Sequence, residues 1–130
     1  DHLKEYLTCP NDKMAELCKK ATEEGLKYQV VTCDIKKWGC QITAVDKKDE
    51  AWMNVRKQVF FFRFYRESVP LPETVIHESL DAMKKLNSVK GFIFSSSGYS
   101  NAARKFAENR PVELLEKQKL EKLLSISAKK

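Results

Sequence analysis

The chain has 130 residues, of which 42% are hydrophobic and 32% charged, the size and balance of one globular domain with a buried core. Nothing in it approaches ~20 consecutive apolar residues, and its polar first residues (Asp1, His2, Lys4, Glu5) are not followed by an apolar stretch. Neither a membrane-spanning helix nor a secretory signal is expected in this stretch, while the net charge of +6 admits acidic partners such as nucleic acid or anionic lipid.

In chain order, residues 11–24 read as the first helix, with Asn11 or Asp12 as its cap and Met14, Leu17, Cys18 and Ala21 at helical spacing. Gly25 supplies the stop. Residues 27–33 are β-branched and aromatic and predict a strand. A polar turn over 34–37 leads to a second strand, 38–46, and a charged turn over 47–50 to a third, 53–66. The third contains Val59, Phe60, Phe61, Phe62, Phe64 and Tyr65, a density that predicts a central strand buried on both faces.

Pro70 and Pro72 end that strand, and residues 73–86 predict a helix with Val75, Ile76, Leu80, Met83 and Leu86 on one side. Residues 91–95 read as a further buried strand. A Ser-rich turn follows, and Ser100 is placed to cap a helix reaching about Glu108. Residues 112–115 predict a short strand, and 119–126 a final helix with Leu120, Leu123 and Leu124 inward. Three closely spaced strands suggest an antiparallel meander and the strand–helix–strand step a parallel addition, giving a mixed sheet flanked by helices.

The four cysteines (Cys9, Cys18, Cys33, Cys40) form no CxxC pair, and His2 and His77 lie far apart, so buried free thiols are expected in place of a metal site. Free thiols fit the cytoplasm or another reducing compartment. His77 is expected to be exposed or packed, and Trp38 and Trp52 to flank the hairpin of the second and third strands. Residues 54–66 carry Arg56, Lys57, Arg63 and Arg66 without an acid, and residues 117–130 carry five lysines against Glu121. These stretches read either as solvated surface or as a functional basic face. The start at Asp1 without a methionine leads us to expect a single domain over 1–130, with an ordered core at about 11–126, cut from a longer protein.

The element order and the closing stretch GFIFSSSGYSNAARKFAENRPVELLEKQKLEKLL (91–124) carry a resemblance. An apolar strand (92–94) runs into serines 95–97. Gly98-Tyr99-Ser100 then opens an Ala-rich helix (Ala102, Ala103, Ala107), followed by the strand 112–115 and Leu120. In these features the chain resembles the Mrr-like branch of the PD-(D/E)XK restriction-endonuclease-like superfamily. The resemblance implies an α/β fold with an αβββαβ core, extended here by one strand and a C-terminal helix.

The family's chemistry needs an aspartate at the start of the second core strand and Gln/Glu-x-Lys on the third. The acids hold Mg²⁺ and the lysine helps activate water. The matching positions here are Gln41, Phe61 and Arg63. A neutral Gln41 brings no charge, Phe61 no ligand, and Arg63 stays protonated, so no catalytic residue, metal or cofactor is expected; Mg²⁺ enters only if the site is active. Acids that could rebuild a site are Asp34, Asp46, Glu67, Glu16 and Glu23, with Asp46 pointing to the face opposite Gln41.

Arg63 has two readings: paired with a buried acid or stacked on Phe61 or Tyr65, or holding a phosphate in the old cleft. Arg56, Lys57, Arg63, Arg66 and the turn residues Ser96, Ser97 and Gly98 are the candidate anion or nucleic-acid contacts. Three functions follow: a catalytically degenerate module for protein assembly or structural support of the rest of a longer chain, a nucleic-acid-binding module, or a metal-dependent nuclease with relocated acids.

Overall fold

The computed structural model of the protein describes residues 1–47 and 57–129. Five strands form one sheet in the order β1-β2-β3-β4-β5: Tyr28–Lys36, Gly39–Asp46, Val59–Tyr65, Ser88–Ser95 and Val112–Leu115. The first three are antiparallel neighbours, and β4 and β5 add in parallel. Helix α3 (Glu73–Lys85) crosses from β3 to β4, and α4 (Asn101–Ala107) from β4 to β5. Helices α1 (His2–Thr8), α2 (Asn11–Lys20) and α5 (Lys117–Ala128) complete the chain. This is the expected mixed α/β sheet flanked by helices. No helix among the described residues is long and apolar enough to cross a membrane.

The alternation along β2 and β3 sorts the core into two layers. Cys40, Ile42, Ala44, Phe62 and Phe64 pack with residues of α1, α2 and α5, including Tyr6, Met14, Leu120 and Leu123. Tyr65 packs with Ile76, Ile93, Tyr99, Ala103 and Val112 on the side of α3 and α4. Phe61, Phe62 and Phe64 are fully buried, as a central strand demands. Phe64 also lies parallel to Phe94 of β4, with ring centres 4.6 Å apart.

Several expectations are corrected. A helix precedes the one predicted first: Asp1 caps α1 through Lys4 N–H, and Leu3 and Tyr6 are buried at i, i+3 spacing. Neither Asn11 nor Asp12 caps α2, because Pro10 holds the extended cap position and both lie inside the helix. The last turn widens into a π-turn over Ala21–Gly25, and the left-handed residue beyond it is Lys27 (φ 67°). Gly25 has a packing role, since a Cβ there would stand 2.7 Å from Leu123.

Strand β1 continues through Asp34, Ile35 and Lys36, which pair with Gln41, Cys40 and Gly39, so the turn is only Lys37-Trp38. Gly39 then adopts φ 153°, and a Cβ there would lie 1.8 Å from the Phe64 carbonyl oxygen. Strand β3 begins at Val59, and β4 at Ser88, three residues before the expected start. Of the predicted third strand, residues 53–56 lie outside the described residues, as do Trp52 and residues 48–50 of the charged turn. Leu86, expected on the inner side of its helix, is 40% exposed, while Ser79 is fully buried.

Candidate functional site

The register of β2 against β3 sets Gln41 directly opposite Arg63, and alternation turns both toward α3, with Phe61 and Tyr65 beside Arg63 on the same face. Arg63 is a buried cation, 3% exposed, and its guanidinium is surrounded by acceptors. Its Nε donates to Gln41 Oε1 at 2.9 Å, and Nη1 to Tyr65 Oη at 3.0 Å and Ser79 Oγ at 3.1 Å. Both terminal nitrogens bind the Glu78 carboxylate, at 2.5 and 3.0 Å, in the fork geometry that arginine supplies and lysine does not.

Two aromatic rings complete the enclosure. The guanidinium carbon lies 4.9 Å from the Trp38 ring centre and 5.0 Å from that of Phe61. Trp38 in turn stacks on Tyr65 at 4.1 Å, so the tight β1–β2 turn places it as a wall of the site. Burial opposes the charge on Arg63, but Glu78 and the Tyr65 phenol outweigh it and raise its pKa. The Arg63 hydrogen bond holds the Glu78 carboxyl below its ordinary range against partial burial. Burial raises the Tyr65 phenol, with Arg63 acting in the opposite sense.

The matched motif positions Gln41, Phe61 and Arg63 are thus brought together; Arg63 has the aromatic contact with Phe61 that its structural reading calls for, but its acid partner Glu78 is exposed and not the buried acid expected. Glu78 and Ser79 are the residues that sequence reasoning missed. The available signal was the need of a cation amid phenylalanines for an acid, but nothing in the chain points to helix α3 as its source.

The other candidates are dispersed. Arg66 donates to the carbonyl oxygens of Tyr6 (3.2 Å) and Cys9 (2.7 Å) and to Asn11 Oδ1 (2.9 Å), tying the end of β3 to the α1–α2 junction. Lys57 is half-buried ahead of β3, and Arg56 lies outside the described residues. In the serine turn, Ser97 Oγ donates to the Glu67 carbonyl at 2.7 Å, and Ser97 N–H donates to Ser95 Oγ. The Gly98 carbonyl accepts from Ser95 Oγ and Leu71 N–H, Ser96 is half-buried, and Ser100 caps α4 through Ala103 N–H. Gly98 takes the left-handed φ of 82° that this turn requires.

The acids weighed as replacements do not converge either. Glu16 pairs with Lys19, Glu23 accepts from Val30 N–H, and Asp46 sits opposite Tyr28 at the far end of β2. Asp34, exposed on β1, is the one directly opposite Gln41 in the strand register. Among the described residues no group of three or more His, Cys, Asp or Glu is arranged to hold a metal ion. All four cysteines are free, with Cys33 Sγ 3.2 Å from Cys40 Sγ.

A meander of three strands, a parallel crossover and a polar cluster centred on β2 and β3 define a restriction-endonuclease-like domain. The family model described as "Restriction endonuclease" (Mrr_cat) matches residues 54–124, more than half of the sequence, and the chain belongs to this family. Among solved structures it is similar to the DNA modification-dependent restriction endonuclease AspBHI, with a TM-score of 0.63 and 16% identity over 92% of this chain. The match spans 32% of that enzyme's chain. No curated protein matches the sequence.

Proposed function

We propose that this domain is a catalytically silent member of the restriction endonuclease family, acting as a protein-assembly or structural module within a longer chain. The observation that carries the reading is the dense hydrogen-bond set of Arg63. The residue at the family's lysine position donates through all three of its nitrogens, to Gln41, Tyr65, Glu78 and Ser79. Mg²⁺ does not fit this donor set, since it dehydrates reluctantly and calls for anionic oxygens in octahedral array. The Gln41 oxygen and both Glu78 oxygens are already engaged by a fixed positive charge, and Phe61 brings no oxygen. The guanidinium stands in for the cation that two acids would otherwise hold. The module role is supported by the share of the longer AspBHI chain that the match spans.

A nicking assay on supercoiled plasmid with Mg²⁺ or Mn²⁺ tests the silence of the site. No nicked or linear product is expected. Metal-dependent product that disappears on Asp34→Asn substitution would overturn the proposal in favour of a relocated acid.

A second reading, nucleic-acid binding without cleavage, is favoured by Lys117, Lys119, Lys122 and Lys129, all exposed on or beside α5. Fluorescence anisotropy with a short duplex across a salt series separates the two. Affinity in the micromolar range that falls steeply with salt supports nucleic-acid binding, and no binding at low salt leaves the assembly module.

A further inference from the structure

A second concave site lies away from Arg63, between α3 and α4 near the beginnings of β4 and β5. It is a cleft of about 400 Å³, within the size class of small-molecule sites. His77, Leu80, Asp81 and Lys84 line one wall from a single stripe of α3, facing Phe106 and Arg110. Glu78, which serves Arg63, lies outside this lining.

The Phe106 wall is held rigidly. The His77 ring stacks on Phe106 with centres 3.6 Å apart, and the Arg110 guanidinium carbon lies 3.8 Å from the same ring centre. Two groups this close to one ring centre must occupy opposite faces, so Phe106 is sandwiched. Glu73 fixes His77 at 2.7 Å, and the Phe106 carbonyl accepts from Arg110 Nη1 at 2.6 Å. The guanidinium is thereby positioned before any ligand arrives, and among the described residues no other acceptor engages its donors.

Among the described residues neither Lys84 nor Arg110 has an acid partner, and Asp81 is the lone acid of the lining. Ser88, on the same lining, carries a buried hydroxyl without a hydrogen-bond partner among the described residues. Leu80, Met83 and Pro111 supply apolar surface beside these groups. Two unpaired cations, one of them pre-oriented, above apolar side chains are the complement of an anionic head on an apolar body.

We infer that the α3–α4 cleft is a binding site for a small organic anion, a carboxylate or phosphate monoester carrying an apolar group, with Arg110 and Lys84 as the recognition residues. The test titrates the intact ¹⁵N-labelled protein with phenyl phosphate and with benzoate, using phenol and inorganic phosphate as controls. Either anion is expected to give saturable amide shifts confined to Lys84, Ser88, Phe106, Arg110 and their neighbours, and the tighter one identifies the head group. Arg110→Ala is expected to weaken binding at least about tenfold, and Lys84→Ala by several-fold, both on folded protein since the two side chains are exposed. The inference is overturned if neither anion gives localised saturable shifts up to about 10 mM, if phenol or phosphate alone binds as tightly, or if Arg110→Ala leaves the affinity unchanged.

Discussion

Arg63 shows how one residue can decide the character of a site. Its pair with Glu78 is asymmetric, because Arg63 is 3% exposed whereas the Glu78 side chain is 61% exposed. Removing the arginine strands the Gln41 oxygen in the interior and breaks the pair with Glu78, while Ser79 keeps its bond to the Val75 carbonyl, so Arg63→Ala is expected to destabilise the fold by about 3–5 kcal/mol in urea unfolding. Glu78→Gln keeps the shape and gives up a pair half open to solvent, so a cost near or below about 1 kcal/mol is expected. An equal effect of both variants would contradict this account.

The pH dependence follows from the direction of the Glu78 shift. Its carboxyl is held down by the Arg63 hydrogen bond, so the pair's contribution is complete above the unfolded-chain value of about 4.3 and is lost as pH falls through the lower folded value. The stability gap between the native chain and Glu78→Gln should therefore shrink between about pH 5 and pH 3. Paired urea titrations at the two pH values read this directly.

At the scale of elements, the β1–β2 hairpin and α4 depend on single positions. Gly39 lies where a side chain would meet the Phe64 carbonyl, on the strand neighbouring Arg63, and its φ of 153° is one that L residues avoid. Gly39→Ala is expected to cost more than the roughly 1–3 kcal/mol of backbone strain alone, and to disturb the stack of Trp38 on Tyr65. Ser100→Ala removes an N-cap hydrogen bond from a seven-residue helix, with an expected loss of about 1 kcal/mol. Thermal unfolding of the two variants should rank them in that order.

At the scale of the whole molecule, buried and half-buried thiols and phenols set an alkaline limit. The Cys40 thiol is pushed up to about 12 by its hydrogen bond with Cys18 and by burial, with Cys33 acting in the opposite sense. Cys33 is raised by its hydrogen bond with Cys40 and by burial, and the Tyr6 and Tyr99 phenols are raised by burial. The unfolded chain releases such protons from about pH 8.5 for cysteine and about pH 10 for tyrosine, while the folded chain retains them. The contribution of these groups to folding stability is therefore full below about pH 8.5 and declines above it. The urea midpoint at pH 10 should lie below that at pH 7.5; equal midpoints would rule this out.

Much of the fold was legible in the chain because local periodicity and core burial are the same fact seen twice. The phenylalanine run reads as a central strand, Ser100 caps α4 as read, and 112–115 is a strand as read. The closing stretch pointed to the family, and the family resemblance singled out Gln41 and Arg63, which the strand register sets opposite each other. Helix α1 was missed because seven polar-flanked residues have little periodicity of their own; Tyr6 is buried because its hydroxyl reaches the Tyr65 carbonyl 59 residues away.

The same distance separates what each level decided. By itself the sequence determined most of the element order along the chain, the mixed sheet flanked by helices and the absence of family-type ligands at positions 41 and 61, since all of these depend on residue type and period. Only the tertiary structure decided that Glu78 meets Arg63, that Arg66 holds the α1–α2 junction, and that His77, Phe106 and Arg110 form one stack. Those pairings depend on which helix crosses which strand and at what register, and the separation along the chain carries no trace of it.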